Sequence, residues 1–102
     1  MITEQADADR FNSYAEFFKA FADPTRLRVL YLLSRKKLLD VGSIASTLGM
    51  TDSAISHQLK ILKQAHLVAS ERNGKFICYR LDDGHIEDML EKASEHISEY
   101  YI

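Results

Sequence analysis

The sequence predicts a mainly α-helical fold with one β-hairpin, in the order ααααββα, and three observations predict it. Apolar residues recur at helical spacing in four stretches before residue 66. Between Leu67 and Leu81 the period changes to two, around an Asn73-Gly74 turn signal. After Asp82-Asp83-Gly84 the helical period returns and continues to the end of the sequence. With 102 residues, 46% hydrophobic and 27% charged, and no internal repeat or linker, residues 1–102 read as one globular domain with a modest core.

The elements follow in order. Phe11, Tyr14, Phe18 and Phe21, with Phe17 alongside, mark a first helix from about Asp9 to Ala22. Asp23-Pro24 stops and restarts it, because Asp is a favoured N-cap and proline is pre-set for a first helical turn. A second helix then runs through Leu27, Leu30, Tyr31 and Leu33 to about Arg35. A short third helix begins at Asp40 or Val41 and reaches Leu48, with Ile44, Ala45 and Leu48 inward and Gly49 as its left-handed cap. Thr51 caps a fourth helix to about Ala65, with Ile55, Leu59 and Leu62 inward. In the hairpin, Ile77, Tyr79 and Leu81 alternate with Phe76, Cys78 and Arg80, and Asn73-Gly74 supplies the two positive-φ residues of a type I′ turn. A last helix carries the stripe Ile86, Met89, Leu90, Ala93, Ile97 and Tyr100.

Composition narrows the function. No apolar run approaches the roughly 20 residues of a membrane span, and Met1–Arg10 is acidic and polar rather than signal-like, so a cytoplasmic protein without membrane partners is expected. A single cysteine, Cys78, excludes an internal disulfide framework and any cysteine-rich metal cluster. Set among apolar neighbours, it reads as a small core residue. No nucleophile is paired with a base and no glycine-rich phosphate loop is present, so neither an enzyme nor a small organic substrate is expected.

The net charge of −2 hides a strong segregation. Residues 24–80 hold ten Lys/Arg against three Asp/Glu, a net +7, while residues 1–23 hold two against five and residues 82–102 one against seven. The basic middle contains a short helix, a glycine turn and a second helix with a small polar stripe, which is the pattern of a helix-turn-helix. That stripe is Ser53, Ser56, His57 and Lys60, opposite Ile55, Leu59 and Leu62. Short side chains let such a helix enter the major groove, where hydroxyls and an imidazole reach base edges while Lys60 and Lys63 neutralise phosphate. Arg72 and Lys75 flank the hairpin tip, as suits a wing that contacts phosphates or the minor groove. The expected fold is a winged helix-turn-helix and the expected partner is double-stranded operator DNA. A protein-docking winged helix is the rival, marked by near-zero salt dependence of DNA binding.

Two segments carry a family resemblance. Phe18-Lys19-Ala20-Phe21-Ala22-Asp23-Pro24-Thr25-Arg26-Leu27-Arg28-Val29-Leu30 and Ser53-Ala54-Ile55-Ser56-His57-Gln58-Leu59-Lys60-Ile61-Leu62 resemble the ArsR/SmtB family of winged-helix metalloregulatory repressors, over about residues 8–100. The resemblance implies a homodimer that binds a two-fold symmetric operator and releases it on binding an inducer. Where the family often has an uncharged residue such as Gln, this chain has Asp52, which either accepts from a cytosine amino group or weakens nearby phosphate contact.

The last helix holds Asp83, His85, His96 and Glu99. His85 and His96 lie within about 20° of one helix face but about 16 Å apart along the axis, too far for one metal to touch both in one chain. Two such helices packed antiparallel through the apolar stripe would bring Asp83 and His85 of one copy to His96 and Glu99 of the other, in a homodimer through the terminal helices. Nitrogen and oxygen ligands without thiolate suit tetrahedral Zn(II), with Co(II) as surrogate, rather than Cu(I), Cd(II), Pb(II) or arsenite. Read singly, Asp83 is equally a helix N-cap and the other three are solvated residues. A cytoplasmic zinc-binding protein that regulates no DNA would use the same four ligands. The resemblance adds weight to the metal reading: in the family's zinc-sensing branch this helix carries Asp-x-His and His-x-x-Glu/His, which match Asp83-Gly84-His85 and His96-Ile97-Ser98-Glu99. A second site used by another branch needs cysteines on the third helix, and Lys37-Leu38-Leu39-Asp40-Val41-Gly42 has none. Similarity to the zinc sensors also implies that His66, just past the fourth helix, couples metal binding to DNA binding.

Overall fold

Local capping chemistry sets most element boundaries in the structure, a computed structural model that describes residues 4–101, with side-chain surroundings from Asp7 onward. Helix α1 spans Glu4–Lys19. It starts earlier than the aromatic spacing predicts and stops three residues before Ala22. The last residues wind as a tighter turn, with Ala20, Phe21 and Ala22 amides each donating three residues back. The Asp23 carboxylate accepts from the Arg26 amide at 3.0 Å and Pro24 opens α2, Pro24–Lys36.

The reversal after α2 is strained. Lys37 sits at φ 73°, ψ −48°, and the Leu38 amide donates to the Lys36 carbonyl at 2.9 Å, closing a γ-turn with positive φ. It delivers the chain into a two-residue strand, β1, Leu39–Asp40. Asp40 also caps α3, Val41–Leu48, accepting from the Ser43 hydroxyl at 2.6 Å. That hydrogen bond, working against burial, holds the Asp40 carboxyl below the usual carboxylate range. Gly49, at φ 67°, ends α3, with the Met50 amide on the Ala45 carbonyl. Thr51 accepts from the Ala54 amide at 3.1 Å and starts α4, Asp52–Gln64.

Strands β2, Val68–Asn73, and β3, Phe76–Leu81, pair antiparallel, and β1 joins on the other side of β3, so the hairpin is the larger part of a three-stranded sheet ordered β1-β3-β2. Pairing of Asn73 with Phe76 places the two-residue loop at Gly74-Lys75, one position later than the Asn73-Gly74 signal. Positive φ falls on Gly74 but not on Lys75, so the expected type I′ turn is not adopted. Asp83 then caps α5, Gly84–Tyr100.

One hydrophobic core joins these elements. Its fully buried residues are Val29, Leu30, Leu32 and Leu33 of α2, Ile44 of α3, Ile55, Leu59 and Leu62 of α4, and Leu67 and Val68 at the hairpin base. Helix α5 adds Ile86 and Leu90, and β3 buries Cys78, as the sequence led one to expect. The terminal helices are otherwise uncovered. Phe11, Tyr14 and Phe18 of α1 are 63%, 50% and 58% exposed. Ile97, Tyr100 and Tyr101 also face outward. No helix among the described residues is long and apolar enough to cross a membrane.

Candidate nucleic-acid interface and metal centre

Helix α4 is fixed by its inner face and read by its outer one. Ile55, Leu59 and Leu62 are fully buried, so helical geometry forces Ser53, Ser56, His57 and Lys60 outward, and all four are exposed. Exposed Asp52 occupies the first turn, where its charge suits the positive end of the helix dipole. Lys63 lies one turn beyond Lys60, its ammonium 2.6 Å from the Ser70 hydroxyl on β2. That bond ties the end of the helix to the base of the wing.

At the wing tip Arg72 and Lys75 are both exposed, one on β2 and the other in the loop. Sequence reasoning missed Phe76 beside them. Its ring is half exposed, with the Lys75 ammonium 5.6 Å from the centroid. Phe76 shares its strand face with buried Cys78, but β3 is exposed at its tip end.

Two arginines of α2 were also missed as functional positions. Arg28 donates to the Leu48 carbonyl at 3.2 Å, satisfying the C-terminal end of α3 at the helix-turn-helix corner. Arg26 donates from Nε to the Ala20 carbonyl at 2.8 Å and from Nη1 to Oε1 of Gln58 on α4 at 3.2 Å. In the sequence both lie within the Phe18–Leu30 segment that carries the family resemblance, near the start of α2.

His66 stands at the exit of α4 in the left-handed region, at φ 60°. Its amide donates to the Lys63 carbonyl and that of Leu67 to the Leu62 carbonyl, the paired bonds of a Schellman cap that usually employs glycine. The side chain is exposed and lines a groove between α1 and the end of α4, together with Ser13, Phe17 and Gln64.

At the start of α5 the Asp83 carboxylate divides its oxygens. Oδ1 accepts from the His85 amide at 2.9 Å and the Ile86 amide at 3.3 Å, while Oδ2 lies 3.3 Å from Nδ1 of His85. Burial raises the Asp83 carboxyl, and the amide of Ile86 with the amide and ring of His85 outweighs it, so the net position is below the usual range. His85 is 89% exposed. Far along the helix, exposed His96 packs against Tyr100 with ring centroids 4.9 Å apart, and Glu99 is exposed beyond it. Among the described residues, no three carboxylate, imidazole or thiol groups converge within one chain. Asp83 and His85 are thus together, and His96 and Glu99 are at the other end of the helix.

The 3.3 Å between Oδ2 and Nδ1 is the spacing of a carboxylate–imidazole hydrogen bond, and it is also compatible with two ligands about 2.0–2.1 Å from a tetrahedral ion. Oδ1 stays on the helix cap, so capping and ligation do not compete for one atom.

Helix α5 is anchored to the helix-turn-helix by two contacts. The Tyr31 hydroxyl on α2 donates to the Leu90 carbonyl and accepts from Ser94, both at 2.8 Å. The Lys37 ammonium meets Glu87 at 2.7 Å.

Residues 23–70 match the sequence profile of the family described as bacterial regulatory protein, arsR family. The chain is 38% identical over 96 residues to the transcriptional repressor SmtB homolog of Synechocystis sp., covering 94% of this chain and 72% of that protein. It is 35% identical over 82 residues to the cadmium resistance transcriptional regulatory protein CadC homolog of Staphylococcus aureus, covering 80% and 68%. Its fold is similar to the solution structure of the homodimeric winged helix-turn-helix DNA-binding domain of Mb0332 from Mycobacterium bovis, a possible ArsR-family regulator. That likeness has a TM-score of 0.91 at 25% identity and covers 100% of this chain and 94% of the other.

Proposed function

As the chain belongs to the arsR family of bacterial regulatory proteins, winged helix-turn-helix proteins that bind DNA as homodimers, we propose that it represses transcription in the metal-free state and leaves its operator when Zn(II) binds. The observation that carries the metal assignment is the Asp83 Oδ2 to His85 Nδ1 spacing of 3.3 Å at the solvent-facing start of α5. His96 and Glu99 of a second copy complete a set of two imidazoles and two carboxylates. The uncovered apolar residues of α1 and α5 form the dimer interface that brings the two half-sites together.

Asp83 and His85, with His96 and Glu99 of a second copy, would hold the Zn(II), whose charge would offset that of the carboxylates gathered there. The protein supplies the rest. Residues 82–102, with seven acidic side chains against one lysine, draw the cation and keep the metal-free helices apart. Ser53, Ser56, His57 and Lys60 read the major groove, and Arg72 and Lys75 hold the flanking backbone. Asp52, in the first turn of α4, either accepts from a cytosine amino group or weakens nearby phosphate contact. Through Tyr31 and Lys37 any movement of α5 is passed to α2 and so to the helix-turn-helix. His66 flanks the α1 side of the same unit and serves in this coupling. One domain performs both tasks, and nothing in it acts as an enzyme.

Near-complete release requires Zn(II) to favour the non-binding dimer by about 5 kcal/mol, above the 1–3 kcal/mol of ordinary allosteric coupling. The test is operator affinity against a panel of divalent metals at fixed ionic strength. Zn(II) is expected to weaken binding by about 5,000-fold, the equivalent of about 5 kcal/mol, and an unchanged affinity overturns the proposal. Replacing His96→Ala should abolish the tetrahedral Co(II) absorption spectrum, and an undiminished spectrum removes that residue from the site.

A further inference from the structure

The Arg26 side chain bridges the terminal turn of α1 to the recognition helix α4. From Phe11 onward, among the described residues, α1 and its terminal turn make no hydrogen bond or ion pair to α4 except through Arg26. Its Nε donates to the Ala20 carbonyl at 2.8 Å, its Nη2 to the Lys19 carbonyl at 3.3 Å, and its Nη1 to Oε1 of Gln58 at 3.2 Å. Beside it a groove of about 500 Å³ is lined by Phe17, Lys19, Ile61 and His66 among others, while Ala20 and Phe17 pack with the core that holds Leu59 and Leu62. A guanidinium adds a directional link to that packing, because its donors lie in one rigid plane and turning one bond turns the others. Gln58 adjoins His57 on α4, so its restraint acts on the turn that carries the base-reading stripe.

We propose that Arg26 is a positioning residue for operator binding: its fork holds α4, through Gln58, at the tilt set by the dimer helix α1, and so fixes the separation of the two recognition helices. The inference rests on the reading of α4 as the operator-contacting helix. It adds a determinant outside both the base-reading stripe and the metal ligands.

A role confined to capping α1 would change stability but not tolerance of operator geometry. The test therefore uses spacing. A duplex is selected from a random pool by the metal-free wild-type dimer, then rebuilt with its half-sites one base pair closer and one farther apart. Each base pair shifts the half-sites by about 3.4 Å and about 34°. Wild type should lose at least about 30-fold in affinity on respacing. Gln58→Met leaves Arg26 its two bonds to α1. It should bind the selected duplex about 10-fold more weakly yet lose only about 3-fold on respacing, with its thermal midpoint and dimerisation unchanged. Arg26→Lys should relax the spacing preference in the same way.

A Gln58→Met dimer that keeps the full respacing penalty overturns this proposal alone. A wild-type protein that selects no duplex overturns the reading of α4 together with it.

Discussion

The central helix-turn-helix and the terminal helices are built on opposite terms. In the centre Leu30, Ile44 and Ile55 are completely buried, and each boundary of α2, α3 and α4 is closed by its own side chain or left-handed residue. At the termini Phe18 is 58% and Tyr100 69% exposed, so two aromatic-bearing helices leave faces that nothing in one chain covers. The centre is complete in one copy and the ends are complete in two. A regulator gains from this division, since the part that reads DNA stays constant while the part that senses a ligand is free to rearrange.

The sharpest way to break the comparison is to damage the two regions in turn. Leu30→Ala leaves a cavity at the centre of α2 and should lower unfolding stability by about 2–5 kcal/mol, read from urea denaturation. A loss under about 1 kcal/mol would mean the centre is not the rigid unit described. Ile97→Asp places a charge on the uncovered face of α5. Helix content should persist in circular dichroism while the dimer dissociation constant rises at least about 100-fold, roughly 2.7 kcal/mol, in sedimentation equilibrium. A dimer as tight as wild type would show that the terminal faces meet no second copy.

The two regions were also unequally legible. Asp23-Pro24, Gly49 and Thr51 announce the helix-turn-helix because caps act on their own neighbours, and the burial of Ile55 and Leu59 then fixes where Ser56 and His57 point. What escaped notice depends on partners distant in sequence. Strand β1 exists because Leu39 and Asp40 meet Tyr79 and Cys78, and two residues carry no periodicity to reveal it. The Asn73-Gly74 signal was overridden by one position, because pairing Val68 with Leu81 sets the hairpin register from its buried base. Arg26 and Arg28 look like solvated cations until the carbonyls of Ala20 and Leu48 are placed beside them. Of the metal set, Asp83 and His85 are adjacent because a helix start brings them together. His96 and Glu99 lie at the other end of the same helix, and the proposal that they join the first pair needs a second copy, which a single chain does not show.

A smaller effect separates stability from signalling at the exit of α4. His66 holds a left-handed conformation that glycine adopts without strain, so His66→Gly should raise stability by about 0.5–1 kcal/mol in thermal unfolding. If His66 also couples the two regions, the same variant should narrow the difference between metal-free and Zn(II)-bound operator affinity. Greater stability with an unchanged metal response would confine it to capping.

The smallest expected effect belongs to the cap of α3, wholly within the central region. The Ser43 hydroxyl and amide hold the Asp40 carboxyl below its ordinary value of 3.8. A carboxyl lowered by folding contributes stability above the unfolded value and loses it as pH falls through the folded one. The contribution is therefore constant from neutral pH down to about 4 and disappears below that. Carboxyl carbon shifts followed by NMR should show Asp40 titrating below an unfolded reference. Asp40→Asn keeps an accepting oxygen but no titrating group, so it should flatten that part of the stability profile on the acid side of the ordinary carboxylate range while leaving dimerisation unaltered. A variant that also changes the dimer dissociation constant would show that the α3 cap reaches the terminal helices, although the Asp40 side chain bonds to Ser43 within α3.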